Sequence, residues 1–134
     1  MHPGQLFYDI KPIVHSINPS IPIYQGKNIL DLLEVSDVMI SLSLSTTMLD
    51  AMIMDVPTIT ILAEDQGFED EIIIKSKATL IVKTPEEFEK ALHDVLYDEK
   101  IRNELIKKGR EFVDMCLANQ GTASKHLSKI IDSY

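Results

Sequence analysis

Cysteine, basic charge and long apolar runs are what this chain has least of, and each shortage excludes something. A single cysteine, Cys116, has no partner for an internal disulfide, so nothing points to an oxidising compartment. Thirteen Lys and Arg stand against 21 Asp and Glu, for a formal charge of −8 at pH 7. With its lysines scattered, such a chain repels nucleic acid, which is not expected as a partner. No apolar run approaches the roughly 18 residues of a transmembrane segment, and no signal peptide opens the chain, so a cytoplasmic location is expected. What remains is a chain of 134 residues, 45 % apolar and 25 % charged. That is one domain, 1–134, large enough to bury a core. It carries no internal repeat and no low-complexity tract.

The densest information lies in residues 36–61. An almost wholly apolar segment, 38–42, reads as a strand buried on both faces. Ser43, Leu44, Ser45, Thr46 and Thr47 then form a polar turn that opens a helix. Residues 48–54 are apolar nearly all round, which predicts a deeply placed helix; Asp50 is its one early carboxylate. Val56 and Pro57 end it, and 58–62 is a second strand. Hydroxyls and unpaired backbone N–H groups at a helix start favour an anion. Ser and Thr also occur there simply as caps, and Asp50 near a helix start is favoured by the dipole alone. Both readings stay open on the residues themselves.

Around this stretch the chain alternates. Asp9 reads as the cap of a helix carrying Ile10, Ile13, Val14 and Ile17, with Pro12 in its first turn. Residues 21–24 form a short strand candidate. Asn28 caps a helix of about two turns through Leu33 and Val35. Residues 63–77 read as an acidic loop (Glu64, Asp65, Glu69, Asp70, Glu71) with a turn of helix around 70–75, and 79–82 as the last strand. Thr84, Pro85 and Glu87 make a capping box for a helix with Phe88, Ala91, Leu92, Val95 and Leu96 on its core face. A longer helix, 98–117, uses Ile101, Leu105, Phe112, Val113 and Cys116. A last one, 123–131, uses Leu127, Ile130 and Ile131. Strands alternating with helices predict an α/β fold, a doubly wound, Rossmann-like parallel sheet followed by C-terminal helices. Ligands in such sheets bind beyond the carboxyl ends of the strands, which groups His2 and Pro3, the 43–47 turn and the 63–67 loop.

Other chemistries find little support. His15, His93 and His126 have no metal-ligand spacing, the acidic loop lacks calcium-loop periodicity, and no nucleophile elbow is present. The methionines, three of them in 48–54, read as core filler.

Taken together, His2-Pro3, the run Asn28-Ile29-Leu30 with Leu33 and Ser36-Asp37, Ser45-Thr46-Thr47, Asp50-Ala51, Pro57, and the 119–124 loop resemble the C-terminal half of GT-B glycosyltransferases. The pattern is most similar to the capsule-polysaccharide and CDP-glycerol glycerophosphotransferase type, and more distantly to UDP-N-acetylglucosamine 2-epimerase. The resemblance implies a nucleotide-activated sugar or alditol as ligand, with Ser43, Ser45, Thr46 and Thr47 on its diphosphate. It also implies Asp50 on the ribose, His2 near phosphate, and neither metal nor organic cofactor. The family usually places Glu where Asp50 stands, one methylene longer. The resemblance further implies that catalysis needs an N-terminal domain or partner chain, and that the first, central strand is missing. The expected consequence is a rearranged sheet, a homo-oligomer that fills the gap, or a partner that supplies the strand.

Overall fold

The computed structural model describes residues 10–24, 26–62 and 71–133. The described chain runs α1 (Lys11–Ile17), α2 (Ile29–Leu33), β1 (Met39–Leu42), α3 (Thr47–Ile53), β2 (Thr58–Ile61), α4 (Ile72–Lys75), β3 (Leu80–Val82), α5 (Pro85–Tyr97), α6 (Glu99–Cys116) and α7 (Ala123–Ile131). The three strands make one parallel sheet in the order β1-β2-β3, with Ile40 opposite Ile59 and Ile59 opposite Leu80. The class is α/β, with a small parallel sheet and several helices.

Side chains at the cap position open three of the seven described helices. Asn28 accepts from the Leu30 N–H at 3.1 Å to open α2, and Asp98 accepts from Lys100 and Ile101 to open α6. At α5 the Thr84 hydroxyl accepts from the Glu87 N–H at 3.2 Å. The reciprocal bond of the expected capping box is displaced by one residue: Glu87 Oε2 accepts from the Lys83 N–H at 2.7 Å. The carboxylate still satisfies an otherwise open donor beside the helix start. Asp9 lies outside the described residues; Ile10 holds the cap position of α1 with no side-chain cap bond.

The alternate rows of sheet side chains bury against different helices. Ile59 and Val82 join Ala91, Val95 and Leu105 of α5 and α6. Thr60 on the other row reaches the sulfur of Met48, which packs with Met52, Ala78, Phe112 and Val113. Complete burial of Ile59 contributes about 1.5–3 kcal/mol. The helix α6 takes part in both clusters because it passes beneath the starts of the strands. Its Arg102 Nη1 donates to the Asp37 carbonyl at 2.8 Å, and its Arg110 pairs with Asp55 ahead of β2.

Asp55 ends α3 in a left-handed conformation, φ +59°. Its N–H donates to the Met52 carbonyl, and the Val56 N–H to the Ala51 carbonyl at 2.8 Å. That is a Schellman ending in which Asp replaces the usual Gly. Val56 and Ala51 also pack together, as the motif requires, alongside Leu33 of α2.

Several expectations need correction. Residues 21–24 form no strand: Pro22 has no N–H to give a ladder, and among the described residues β1 pairs only with β2. β1 is therefore an edge, and instead of being buried on both faces it exposes Ile40 by 44 % and Leu42 by 76 %. The helix α3 buries only Met48, Ala51 and Met52, leaving Ile53 exposed, because its neighbours cover one side. Cys116 is exposed: the end of α6 runs past the core that its spacing pointed towards. Neither α1 nor α7 buries a residue, and Ile13, Ile17, Leu127, Ile130 and Ile131 stand in solvent.

Candidate functional site

The turn at the carboxyl end of β1 is built on a strained residue. Ser43 donates its N–H to the Ile61 carbonyl at 3.0 Å, the last β1–β2 ladder bond, while adopting φ +70°. A left-handed backbone at a residue with a Cβ costs about 1–2 kcal/mol, a conformation that Asp55, Lys77 and Asn119 also adopt. The buried hydroxyl of Ser41 holds Ser43, donating to its carbonyl at 2.8 Å. Sequence reasoning missed Ser41; its signal was a hydroxyl inside an otherwise apolar strand.

Beyond Ser43 the chain turns straight into α3. The Ser45 carbonyl accepts from Met48, and the Thr46 carbonyl from Leu49. The Ser45 hydroxyl accepts from the Thr47 N–H at 3.3 Å and meets the Thr47 hydroxyl at 3.2 Å. Capping thus falls to Ser45 alone. Thr46, in the cap position, is already helical in backbone (φ −62°, ψ −24°) and its side chain caps nothing. Among the described residues, the N–H groups of Leu44, Ser45 and Thr46 and the Thr46 hydroxyl have no protein acceptor or donor. Those groups sit at the carboxyl edge of the sheet, where an oxyanion finds donors.

Asp50 lies one turn on, at i+4 from Thr46 and i+3 from Thr47, so the three share one side of α3. Met48 and Met52 bury on the far side of the helix, while the buried Ala51 stands at i+4 from Thr47. Asp50 is half-buried, and among the described residues its carboxylate has no hydrogen bond or ion pair. An acceptor-only group so placed suits a ligand with paired hydroxyls. Ser43, Ser45, Thr46, Thr47 and Asp50 thus lie along one continuous stretch, the β1–α3 turn and the first turn of α3, in which a hydrogen bond joins Ser45 to Thr47. His2, Pro3 and the 63–67 loop lie outside the described residues.

Clefts among the described residues lie elsewhere. One, of about 160 Å³, is lined by Met52, Ile53, Arg110, Val113, Asp114 and Gln120. Another is lined by Asp37, Leu96, Tyr97 and Arg102, at the amino ends of the strands. Beside the first, the guanidinium of Arg110 hydrogen-bonds Asp55 through two nitrogens and holds that carboxyl below the usual carboxylate range. The described residues contain no group of three or more His, Cys, Asp or Glu able to hold a metal ion. No described helix is long and apolar enough to cross a membrane.

Comparison with protein-family models, with curated proteins and with solved structures finds no match for this chain. Its chemistry must therefore be argued from the site itself.

Proposed function

We propose that the chain is the donor-binding half of a glycosyltransferase of GT-B type, acting in polysaccharide or glycoconjugate synthesis and completed by an N-terminal domain or partner chain. In this reading the sheet is the doubly wound, Rossmann-like core of that half. Ser43, Ser45, Thr46 and Thr47 receive the diphosphate of a nucleotide-activated sugar or alditol, and Asp50 accepts hydrogen bonds from its ribose. The single observation that carries it is a turn at the carboxyl end of β1 whose Leu44, Ser45 and Thr46 N–H groups have no acceptor among the described residues, followed one helical turn later by Asp50, also without a partner among them. Donors fixed in advance at the β1 turn would stabilise a departing diphosphate without reorganising. His2 belongs to this reading as a further phosphate contact.

Thermal unfolding in the presence of UDP, CDP or inorganic pyrophosphate tests it. Ligand at about a hundred times its dissociation constant stabilises by roughly 2.7 kcal/mol, a rise of roughly 10 °C for a chain this size. Asp50→Ala should abolish the extra stabilisation by UDP or CDP over pyrophosphate while keeping the pyrophosphate response. No rise with any of the three at millimolar concentration rejects the reading.

A second reading is favoured by α1 and α7, which bury no side chain and expose Ile13, Ile17, Leu127 and Ile130. It makes the chain a non-catalytic α/β module, or a subunit of a split enzyme, that packs on a partner. That reading expects no response to nucleotides in the same experiment.

A further inference from the structure

The open side of β1 carries directional chemistry that apolar exposure alone would not. Met39 and Ser43 donate to the Pro57 and Ile61 carbonyls, so the odd-numbered residues of β1 face β2. In a parallel ladder the alternate residues face the other way. The N–H and C=O groups of Ile40 and Leu42 therefore point to the open edge, and among the described residues nothing pairs with them. The side chains of the same two residues stand 44 % and 76 % exposed. Native edges are usually blunted by Lys, Pro or a bulge; Met39–Leu42 has none of these. Donors and acceptors at strand spacing, beside an exposed apolar row, are complementary to another extended strand.

Charge selects among possible strands. Helix α2 packs on α3, with Leu33 in the cluster that Met39 of β1 joins, and it brings exposed Asp31 and Glu34. Exposed Asp37 immediately precedes the strand, and half-buried Asp50 follows it. Arg102, held at the Asp37 carbonyl, and exposed Lys27, just ahead of α2, oppose these four carboxylates but are outnumbered by them. A second copy would set the same carboxylates against each other on chains of charge −8.

We propose that the β1 edge is a docking site for an extended strand of another polypeptide, apolar on alternate residues and flanked by basic ones, which adds to the sheet beside Ile40 and Leu42. This inference stands apart from the donor-binding reading, since peptide binding and nucleotide response are measured separately.

The probe is a fluorescein-labelled peptide, Lys-Lys-Val-Thr-Val-Thr-Val-Lys-Lys, against a counterpart with Glu in place of each Lys, followed by fluorescence anisotropy at low salt. Ile40→Pro removes an N–H that faces the open edge and no ladder donor. Leu42→Lys places a charge on an already exposed position, and far-UV circular dichroism verifies that both variants fold. The expected result is saturable binding of the basic peptide, weakened at least tenfold by each folded variant and at least tenfold weaker for the acidic peptide. The proposal is overturned if the basic peptide fails to bind, binds both variants as tightly as the parent, or binds no better than the acidic one. Sedimentation showing a dimer that Leu42→Lys dissociates would assign the edge to a second copy and equally overturn it.

Discussion

Gly109 lies buried in the middle of α6, where that helix crosses α3, and replacing it with alanine tests how close the two helices come. In an exposed helix interior, Gly→Ala stabilises by about 1 kcal/mol. Here an added Cβ would meet Met52 Cγ at 3.1 Å and Met52 Cβ at 3.4 Å. Met52 is 3 % exposed and packed among Met48, Phe112 and Val113, so a shift of its side chain toward the cleft it lines disturbs that packing. Overpacking a dense core costs about 1–3 kcal/mol, which exceeds the propensity gain. Gly109→Ala should therefore lower stability by up to about 2 kcal/mol, and Gly109→Val by more. Urea unfolding followed by far-UV circular dichroism suits a chain without tryptophan. In a Met52→Ala background, itself about 2–5 kcal/mol less stable, the obstructing Cγ is gone and Gly109→Ala should become stabilising. That reversal of sign is the signature of direct contact. A Gly109→Ala variant more stable than the parent by about 1 kcal/mol would refute the close approach of α3 and α6.

Three other outcomes follow from the same structure. Thr84→Ala removes the hydroxyl that accepts from Glu87 and should lower stability by about 1 kcal/mol in urea unfolding, with Thr84→Ser restoring most of it. Arg110 lowers the Asp55 pKa through its hydrogen bonds. The stability of that pair is therefore present above the ordinary Asp pKa and is lost as pH falls through the lower folded value; the stability gap between parent and Asp55→Asn should close on acidification, and a gap independent of pH refutes it. Thr79 donates to the Thr58 carbonyl at 3.0 Å and meets the Thr60 hydroxyl at 2.9 Å. Thr79→Val strands more of this buried chain than Thr60→Val, and should be the costlier of the two by about 0.5–1 kcal/mol in urea unfolding.

What could be read from the residues was whatever short-range chemistry decides. The Thr84-Pro85 start of α5, the Asn28 cap, β2 and the length of α6 all have local causes, and the structure contains them. What could not be read depends on which neighbours are present. The pattern at 21–24 suits a strand, but a strand exists only if another pairs with it. The apolar circumference of 48–54 suggests deep burial, yet α2 and α6 cover only part of α3. Cys116 continues the spacing of Phe112 and Val113 beyond the point where the core ends. For the site, spacing alone groups Thr46, Thr47 and Asp50. The left-handed Ser43 has no signature, because serine, unlike glycine, does not announce such a backbone.

The turn and the open edge belong to the same strand, and that links the two proposals physically. Among the described residues β1 has a strand neighbour on one side, through the ladder to β2 that ends at the Ser43 N–H. The strained Ser43 is fixed by that bond and by the Ser41 hydroxyl, so the placement of the Leu44, Ser45 and Thr46 N–H groups depends on how firmly β1 is held. A strand docked beside Ile40 and Leu42 would add backbone bonds immediately before Ser43. Such bonds restrict local opening of an edge strand, and a ligand that binds the already ordered turn then loses less conformational entropy. Occupancy of the edge and of the turn would in that case be positively coupled, each raising affinity for the other by the same factor, as linkage requires.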